Sequence, residues 1–588
     1  MDAKVRDSSL DPVTLEVIRN ALPAISTEMA VDLQRTSYNM MIYEVRDFCT
    51  AVLSVDGDLV SQNVGGVSHF VADLDVLIKD GVARYGRDGF KPGDVLITNH
   101  QKVAGQHLNN VVIYVPFFFE GKLEMFTMVR AHWIDVGGAS TGFGAGPSVP
   151  DPWMEGLQFD QLKLYDDGKL NEMLYRMISD NIRFPESSMG DLKSQIAACR
   201  LGARRLEELF RRYGRETVLG ALAKIYEETE QKCRNVVSQF KDGVYEAESF
   251  LDGDGINKKD KIHIKVKVTI ERGHMTIDLS GSSPERTVSV NARTSAGPRI
   301  AYKALTVPGE PVNEGSFRAL KVVIPEGLIM MARYPTPMAS WSTTINLSVD
   351  TILKALAPAM KDKVPAAHHA HMGGHTFFGV HPQTRRRFVL QTIDGGGWGG
   401  RPFEDGESGS VSSCQGDVRN GSIEGMEMKC PVVIESRALR PDSAGAGRWR
   451  GGLGINLQVK NLVDGRWNFT STHREGCPQW GLWGGKPGSG GGYFLRKSGE
   501  GEFKFVDGMR SPVPAEAQVV GQSPGGGGWG SPLDREPERV QWDVIEGLVS
   551  RDAARQHYGV ALKDDGSVDA GTTAQLRKQM RGAEATAS

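Results

Sequence analysis

The sequence has almost no net charge. Its 69 Lys and Arg residues against 72 Asp and Glu residues leave −3 at pH 7 over 588 residues. A protein that binds a phosphate backbone needs an excess of positive charge on one surface. No Lys/Arg-rich tract supplies such an excess here, so we expect no nucleic-acid partner.

Long apolar runs are also scarce. The longest stretch, residues 111–119, is about half of what a bilayer span requires, and Pro116 interrupts it. The first ten residues are polar and lack the apolar centre of a signal peptide. These features predict that the protein has no membrane partner and is cytoplasmic.

Several motifs that carry chemistry are missing. The six cysteines form no C-x-x-C pair, which argues against a zinc ribbon and against a thioredoxin-type redox site. The sequence also has no P-loop, no strand-linked G-x-G-x-x-G and no G-x-S-x-G elbow. A serine triad is therefore unsupported, and ATP, if it is used, must be bound mainly by another chain.

Glycine, by contrast, is abundant, with 70 residues among 588. Runs such as 395–400, 488–492 and 525–528 have the composition of flexible linkers. They lie among Trp, Arg and Asp residues rather than in a polar low-complexity tract, which favours ordered turns.

Hydrophobic periodicity predicts the class of the N-terminal region. Apolar spacing indicates a helix from about Pro12 to Ser37, and residues 48–55 with 59–60 flank Asp56-Gly57 as a β-hairpin. Further strands are predicted at 94–99, 111–119 and 125–133. Apolar residues recur at helical spacing from Glu186 to about Lys241, with a break at Tyr213-Gly214. This pattern predicts a helical hairpin.

The rest of the chain changes character. Strict alternation over 262–270, joined to 275–279, predicts a half-exposed antiparallel hairpin, and the final third is rich in glycine and strands. We expect a multidomain α+β protein: an α/β region with a helical hairpin, then a β-rich, Gly-rich region. The predicted parts are an N-terminal α/β metal-site region at 1–245, antiparallel β structure at 246–345, a C-terminal region at 346–575 and a flexible tail at 576–588.

Imidazole and carboxylate side chains concentrate near the ends of the predicted N-terminal strands. Imidazoles and acids are the ligands that zinc and manganese prefer, and His107 and His132 are the candidate ligands. Asp47 is the candidate third ligand, with Asp135 as the reserve. Structural histidines remain the alternative. A second tract, with His368, His369, His371 and His375, fits a hydrogen-bonded loop better than a second metal site.

The order of motifs along almost the whole chain resembles the B-type family of ATP-dependent hydantoinase and 5-oxoprolinase subunits. Relatives of that family include caprolactamase and the acetone and acetophenone carboxylases. The segments that carry the resemblance include 11–19, 46–47, 93–99, 131–138, 181–185, 190–195, 278–281, 442–452, 524–530 and 558–560.

The resemblance implies a partner and a reaction. An A-type subunit with an actin-like ATPase fold would phosphorylate the carbonyl of a small cyclic amide, and this chain would hold a divalent metal, zinc or manganese, near the activated intermediate. The expected assembly is a hetero-oligomer such as (αβ)2. Ketone carboxylation, with bicarbonate as co-substrate, is one alternative, and a non-catalytic structural partner of the A-type subunit is another.

The sequence departs from the family's motif at the implied metal site. Relatives usually have Gly-Thr-His-x-x-Asp, whereas this chain has Gln106 before His107 and Asn110 after it. The resemblance places Asp47, His107, His132 and Asn110 around the metal, although a neutral amide at 110 would bind it more weakly or leave the position to water. His100 and Asp135 are the candidate catalytic residues, and His100 could equally be a substituted ligand or support one.

Overall fold

The computed structural model of the chain describes residues 10–142, 149–253, 260–469, 476–506 and 510–587. It divides into two compact units. The first comprises Met1–Glu246, Val266–Val349 and Cys414–Gly421, and the second comprises Ala247–Lys265, Asp350–Ser413 and Ser422–Ser588. Residues 266–349 thus cluster with the N-terminal region, and the four domain ranges expected from the sequence stay predictions.

A seven-stranded antiparallel sheet forms the centre of the first unit, in the order β2-β1-β5-β4-β3-β6-β7. One face of this sheet carries apolar side chains that join the main core, among them Val111, Ile113 and Val129. The strands are β1 (Phe48–Ser54), β2 (Leu59–Gln62), β3 (Val95–Thr98), β4 (Asn110–Phe119), β5 (Lys122–His132), β6 (Leu162–Asp166) and β7 (Lys169–Leu170).

Long helices cover that apolar face. The first helix begins at Pro12, and its N-cap Asp11 accepts a hydrogen bond from the Thr14 backbone N–H at 2.9 Å. The helices are α1 (Pro12–Thr36), α2 (Met40–Tyr43), α3 (Ser68–Val71), α4 (Leu74–Tyr85), α5 (Pro152–Glu155), α6 (Glu172–Asp180), α7 (Pro185–Tyr213) and α8 (Arg215–Val237). The expected helical hairpin is confirmed, because α7 and α8 are separated only by Gly214, whose φ of 80° ends α7.

A second sheet has the order β11-β10-β9-β8, in which β10 and β11 are parallel and β9 and β10 form the antiparallel hairpin that the alternation predicted. Its strands are β8 (Gly243–Leu251), β9 (Ile262–Glu271), β10 (His274–Asp278) and β11 (Leu320–Val323). Two further helices belong to this part of the chain, α9 (Ala296–Leu305) and α10 (Ser342–Leu356).

The C-terminal region of the second unit contains two sheets, with orders β13-β12-β16-β19 and β14-β15-β20-β17-β18. The strands are β12 (Gly374–Val380), β13 (Arg387–Ile393), β14 (Val432–Leu439), β15 (Ile455–Asn461), β16 (Gly465–Phe469), β17 (Gly492–Arg496), β18 (Lys504–Phe505), β19 (Arg510–Val513) and β20 (Gln518–Gln522). The helices are α11 (Ile423–Lys429), α12 (Pro537–Ile545), α13 (Arg551–Tyr558) and α14 (Ala570–Ala587). The last of these occupies the stretch where the sequence suggested a frayed tail.

The glycine-rich runs are ordered, as their flanking residues predicted. They pack backbone against backbone: the Gly526 N–H donates to Gly452 O at 3.0 Å, and Gly452 N–H donates to Trp398 O at 2.7 Å. A Cβ atom at Gly526 would lie 2.0 Å from the Trp398 carbonyl oxygen. Glycine is required there because no larger residue leaves room for the neighbouring strand of backbone.

The mixed content of helices and sheets confirms the expected multidomain α+β class, with a Gly-rich β region after the helical hairpin. Within the described ranges, every helix is too short or too polar to cross a bilayer.

Candidate functional site

Three of the predicted site residues are neighbours at one end of the central sheet. β5 lies between β1 and β4, and Asn110 on β4 pairs with His132 on β5. The His132 backbone N–H donates to the carbonyl of Asp47, just before β1, at 3.1 Å. Because side chains alternate along a strand, Asp47, Asn110 and His132 share the face opposite the core covered by α1 and α7.

His107 completes this group from the loop that leads into β4. Its ring and that of His132 are perpendicular, with centroids 4.9 Å apart. His107 Nε2 is 2.8 Å from the side-chain oxygen of Asn110. We call His107, Asn110 and His132 the imidazole cluster.

The hydrogen bonds around Gln106 fix which atoms donate. The Gln106 amide nitrogen donates to the carbonyl of His69 at 3.0 Å, so its oxygen is the atom that accepts from the Asn110 amide nitrogen at 2.9 Å. The Asn110 oxygen therefore faces His107 and can only accept. It follows that His107 carries its proton on Nε2 in this arrangement.

Burial sets the charge state of the group. Desolvation lowers the pKa of His107 to about 4 and holds the pKa of His132 well below its usual value. Burial also raises the pKa of the Asp47 carboxyl to about 7. Both imidazoles are consequently neutral at pH 7, the form that accepts a proton.

A buried layer of rings and acids lies next to the imidazole cluster. Trp341 contacts both His107 and His69, with ring centroids 6.1 Å and 4.8 Å apart. Asp73, also buried, accepts hydrogen bonds from Thr294 Oγ1 and, at 3.5 Å, from the Gln106 amide. Asp73 and Gln106 thus connect the cluster to the beginning of α4.

The predicted metal set can be tested against this geometry. Neutral imidazoles suit zinc or manganese, and Asp47 Oδ1 is buried with no hydrogen-bond partner among the described residues. However, His107 Nε2 is engaged with Asn110, and across the described ranges no three His, Cys, Asp or Glu residues are gathered closely enough to hold an ion. The set Asp47, His107, His132 and Asn110 stays a prediction, and no chemical step below depends on a metal.

The two predicted catalytic residues have their own surroundings. His100 follows β3; its Nδ1 accepts from the Lys102 N–H at 3.3 Å, and its ring centroid is 4.9 Å from that of Tyr334. Asp135 is fully buried, and its oxygens accept from the Arg183 guanidinium at 2.8 Å and from the Gly137 backbone at 3.1 Å. These bonds make Asp135 an organiser of its loop, and the catalytic roles of both residues stay predictions.

Sequence reasoning did not identify Glu155, which holds two loops of the site together. Its oxygens accept from the Leu108 backbone N–H at 2.5 Å and from the Gln101 amide at 2.8 Å. Burial raises the pKa of this carboxyl to about 7. Glu155 lies in the four-residue helix α5, and no motif around it signalled such a role.

The second histidine tract belongs to the other unit. His368 Nδ1 is 2.7 Å from Asp350 Oδ1, and the rings of His369 and His371 lie 5.1 Å apart. All three histidines are buried, and the Gly373 N–H donates to His371 Nδ1 at 2.7 Å. These bonds agree with the expected hydrogen-bonded loop; the side chain of His375 lies outside the described part.

Comparison with known proteins decides the family. The sequence profile of the Hydantoinase B/oxoprolinase family matches residues 11–532. The chain belongs to this family. The family segments quoted from the sequence therefore carry the relationship that they suggested, and the imidazole cluster lies within the matched range.

Relatives of the family align over nearly the full chain. The chain is 31% identical to the B-type subunit of a putative D-/L-hydantoinase from Pseudomonas sp. (strain NS671), over 97% of this chain and 98% of that protein. It is 28% identical to the beta subunit of the caprolactamase of Pseudomonas jessenii, over 96% of this chain and 99% of that subunit. The 5-oxoprolinase of Dictyostelium discoideum is 26% identical over 90% of this chain, which spans only 41% of that longer protein.

Solved structures share the fold of this family member. The crystal structure of the ATP-dependent caprolactamase from Pseudomonas jessenii superimposes with a TM-score of 0.88 and 26% identity, covering 97% of this chain and 100% of that one. A nucleotide-free acetone carboxylase gives a TM-score of 0.90 at 20% identity, covering 98% of this chain and 84% of that one. At that identity, the second likeness concerns the fold alone.

Proposed function

We propose that the chain is the B-type subunit of an ATP-dependent cyclic-amide hydrolase. It would act with an A-type ATPase subunit, which phosphorylates the carbonyl oxygen of a small hydantoin, 5-oxoproline or lactam. The observation that carries this proposal is the alignment with the B-type hydantoinase relative over 97% of the chain. The names of the caprolactamase beta subunit and the 5-oxoprolinase point to the same chemistry.

The need for ATP follows from amide chemistry. Resonance makes an unstrained cyclic amide a poor electrophile, and phosphorylation of its oxygen converts that oxygen into a leaving group. Water then adds to the activated carbon and loses a proton, and the C–N bond breaks as the ring nitrogen takes up a proton. The acyl phosphate that remains is hydrolysed by a second water to the carboxylate and inorganic phosphate. This step requires a proton acceptor that is deprotonated at pH 7 and lies within hydrogen-bond reach of the water.

The imidazole cluster can supply that acceptor. Desolvation keeps the His132 imidazole neutral, so it is the candidate to take the proton from the attacking water. Asn110 and Gln106 hold the His107 ring through Nε2 and leave its orientation defined. A divalent zinc or manganese ion at this cluster stays a prediction, and an ion bound by His132 would exclude that residue as the proton acceptor.

The hydrolase is favoured over the ketone carboxylase because the carboxylase likeness rests on shared fold. Labelled bicarbonate separates the two functions when it is given with ATP to the complex of this chain and its A-type partner. Ring opening of a hydantoin or lactam with no label in a stable product supports hydrolysis. Label in a stable product without ring opening would overturn the proposal.

A further inference from the structure

A buried cation, Arg130 on β5, lies directly beneath the imidazole cluster. Arg130 pairs with Cys49 on β1 and with Val112 on β4, two residue pairs along the sheet from the row of Asp47, His132 and Asn110. It precedes His132 by two residues and therefore projects from the same face of the sheet. Two residues along a strand separate the two backbone positions by about 7 Å.

The guanidinium of Arg130 is buried without the hydrogen bonds that a buried cation normally makes. The residue is 2% exposed, and its Nε and Nη1 have no hydrogen-bond partner within the described parts of the chain. A buried N–H left unpaired is unfavourable, and a buried charge without a partner is more so. The Phe70 ring, 5.4 Å from the guanidinium carbon, offers a cation–π contact but accepts no such bond.

The nearest acid does not satisfy this cation. Asp73 is the carboxylate with the largest electrostatic influence on Arg130. Its oxygens, however, accept hydrogen bonds from Thr294 Oγ1, the Gln106 amide and the Ser295 backbone N–H. The acid is thus bound by other donors, and Arg130 keeps two N–H groups for a different acceptor.

The surroundings define what that acceptor is. His69 and His107 have pKa values lowered chiefly by burial, and the positive charge of Arg130 lowers both further. A negatively charged acceptor would pair with the positive charge of Arg130, which a neutral acceptor could not do. The unpaired Nε and Nη1 lie on different edges of the guanidinium, and each can donate to a charged oxygen such as that of a carboxylate or a phosphoryl group.

We propose that Arg130 forms an oxyanion-binding subsite beneath the imidazole cluster, which takes a carboxylate or phosphoryl group of the substrate. The identity of the molecule that carries the oxyanion rests on the proposed function. In the hydrolase, the group would be the phosphoryl introduced by ATP or a carboxylate already present on the cyclic amide. Arg130 would hold this group so that the reacting carbon faces His132.

Titration calorimetry of the full chain with sodium phosphate and with sodium acetate, at constant ionic strength, tests the subsite. We expect saturable binding of at least one anion at one site per chain. Stronger binding of phosphate identifies the phosphoryl group as the natural ligand, and stronger binding of acetate identifies the carboxylate. Absence of saturable binding for both anions would overturn the proposal.

Variants assign the binding to Arg130. Arg130→Met should abolish it, and Arg130→Lys should raise the dissociation constant at least tenfold, because a compact ammonium group does not place its donors where the planar guanidinium places them. Arg211→Met is the matched control, since Arg211 is exposed and paired with Glu207. This variant should bind the anion with the same dissociation constant as the unaltered chain. Anion binding by Arg130→Met at unaltered strength would contradict the subsite.

Thermal unfolding separates this role from a structural one. A buried guanidinium without a bound anion destabilises the folded chain. Arg130→Met in chloride buffer should therefore melt at the same temperature as the unaltered chain or higher. A fall of 10 °C or more would make Arg130 a structural residue. Neither measurement needs ATP, a partner or turnover, so loss of the hydrolase proposal would leave these results interpretable.

Discussion

His107 donates a hydrogen bond from Nε2 to the side-chain oxygen of Asn110 at 2.8 Å, and the Asn110 amide in turn donates to Gln106. This pairing uses the nitrogen that a metal ion would otherwise engage. A carboxylate at position 110 would add negative charge at the cluster. The residue at 110 is therefore expected to control metal affinity.

Asn110→Asp should bind zinc at least ten times more tightly than the unaltered chain. The carboxylate supplies a charged ligand next to His107 and His132. Competition with a chromophoric zinc chelator measures the affinity. Asn235→Asp is the matched control, because Asn235 is exposed on α8 and its oxygen also accepts a hydrogen bond, from Gln231. Equal affinities in all three proteins would contradict this account of Asn110.

His132→Ala should reduce ATP-dependent ring opening by about 10²–10⁴-fold, the usual contribution of a general base. The complex with the proposed A-type partner should still form, as size-exclusion chromatography can show. His274→Ala, at an exposed position on β10, is the control and should turn over normally. Unchanged turnover in His132→Ala would favour the interpretation of this chain as a non-catalytic structural partner.

Much of the N-terminal fold followed from local sequence. The mainly apolar segments that flank the Asp56-Gly57 turn were enough for β1 and β2, and helical spacing was enough for α7 and α8. The proximity of His107 and His132 was also predictable, because both lie at strand ends and adjacent antiparallel strands bring such ends together. These features depend on short segments of chain, where periodicity carries the information.

The remaining features depend on contacts between distant segments. Glu155 contacts Leu108, 47 residues away, and nothing near Glu155 in the sequence indicates that contact. The C-terminal helix was missed because its composition is polar. It is held by tertiary bonds from Arg577, which donates to the carbonyls of Tyr558 and Arg535 at 3.1 Å and 2.7 Å. Such partners appear only once the chain is folded.

Glu155→Gln should weaken the pH dependence of stability. The pKa of Glu155 rises from 4.5 to about 7 on folding, so the folded chain binds more protons than the unfolded chain between these values. The favourable contribution is complete below pH 4.5 and is lost as the pH rises through 7. This pKa shift corresponds to about 3 kcal/mol in the free energy of unfolding.

Urea unfolding at pH 5 and pH 8 measures this effect. In Glu155→Gln the amide oxygen can keep the bond from Leu108, and the side chain no longer ionises between these pH values. The loss of stability between the two pH values should therefore be smaller than in the unaltered chain. Glu172→Gln, at an exposed position of α6, should lose as much stability between pH 5 and pH 8 as the unaltered chain. Identical losses in all three proteins would argue against a protonated Glu155.

Gly526→Ala should destabilise the second unit by about 3 kcal/mol, the upper part of the usual range for overpacking. The added Cβ would lie 2.0 Å from the Trp398 carbonyl oxygen, so two backbone segments would have to separate. Gly501→Ala is the matched control, because no atom lies within 4 Å of the Cβ it would add. Thermal unfolding followed by circular dichroism should show a lower transition for Gly526→Ala and a change within about 0.5 kcal/mol for Gly501→Ala. If both variants melt like the unaltered chain, the glycine-rich runs are flexible rather than packed backbone to backbone.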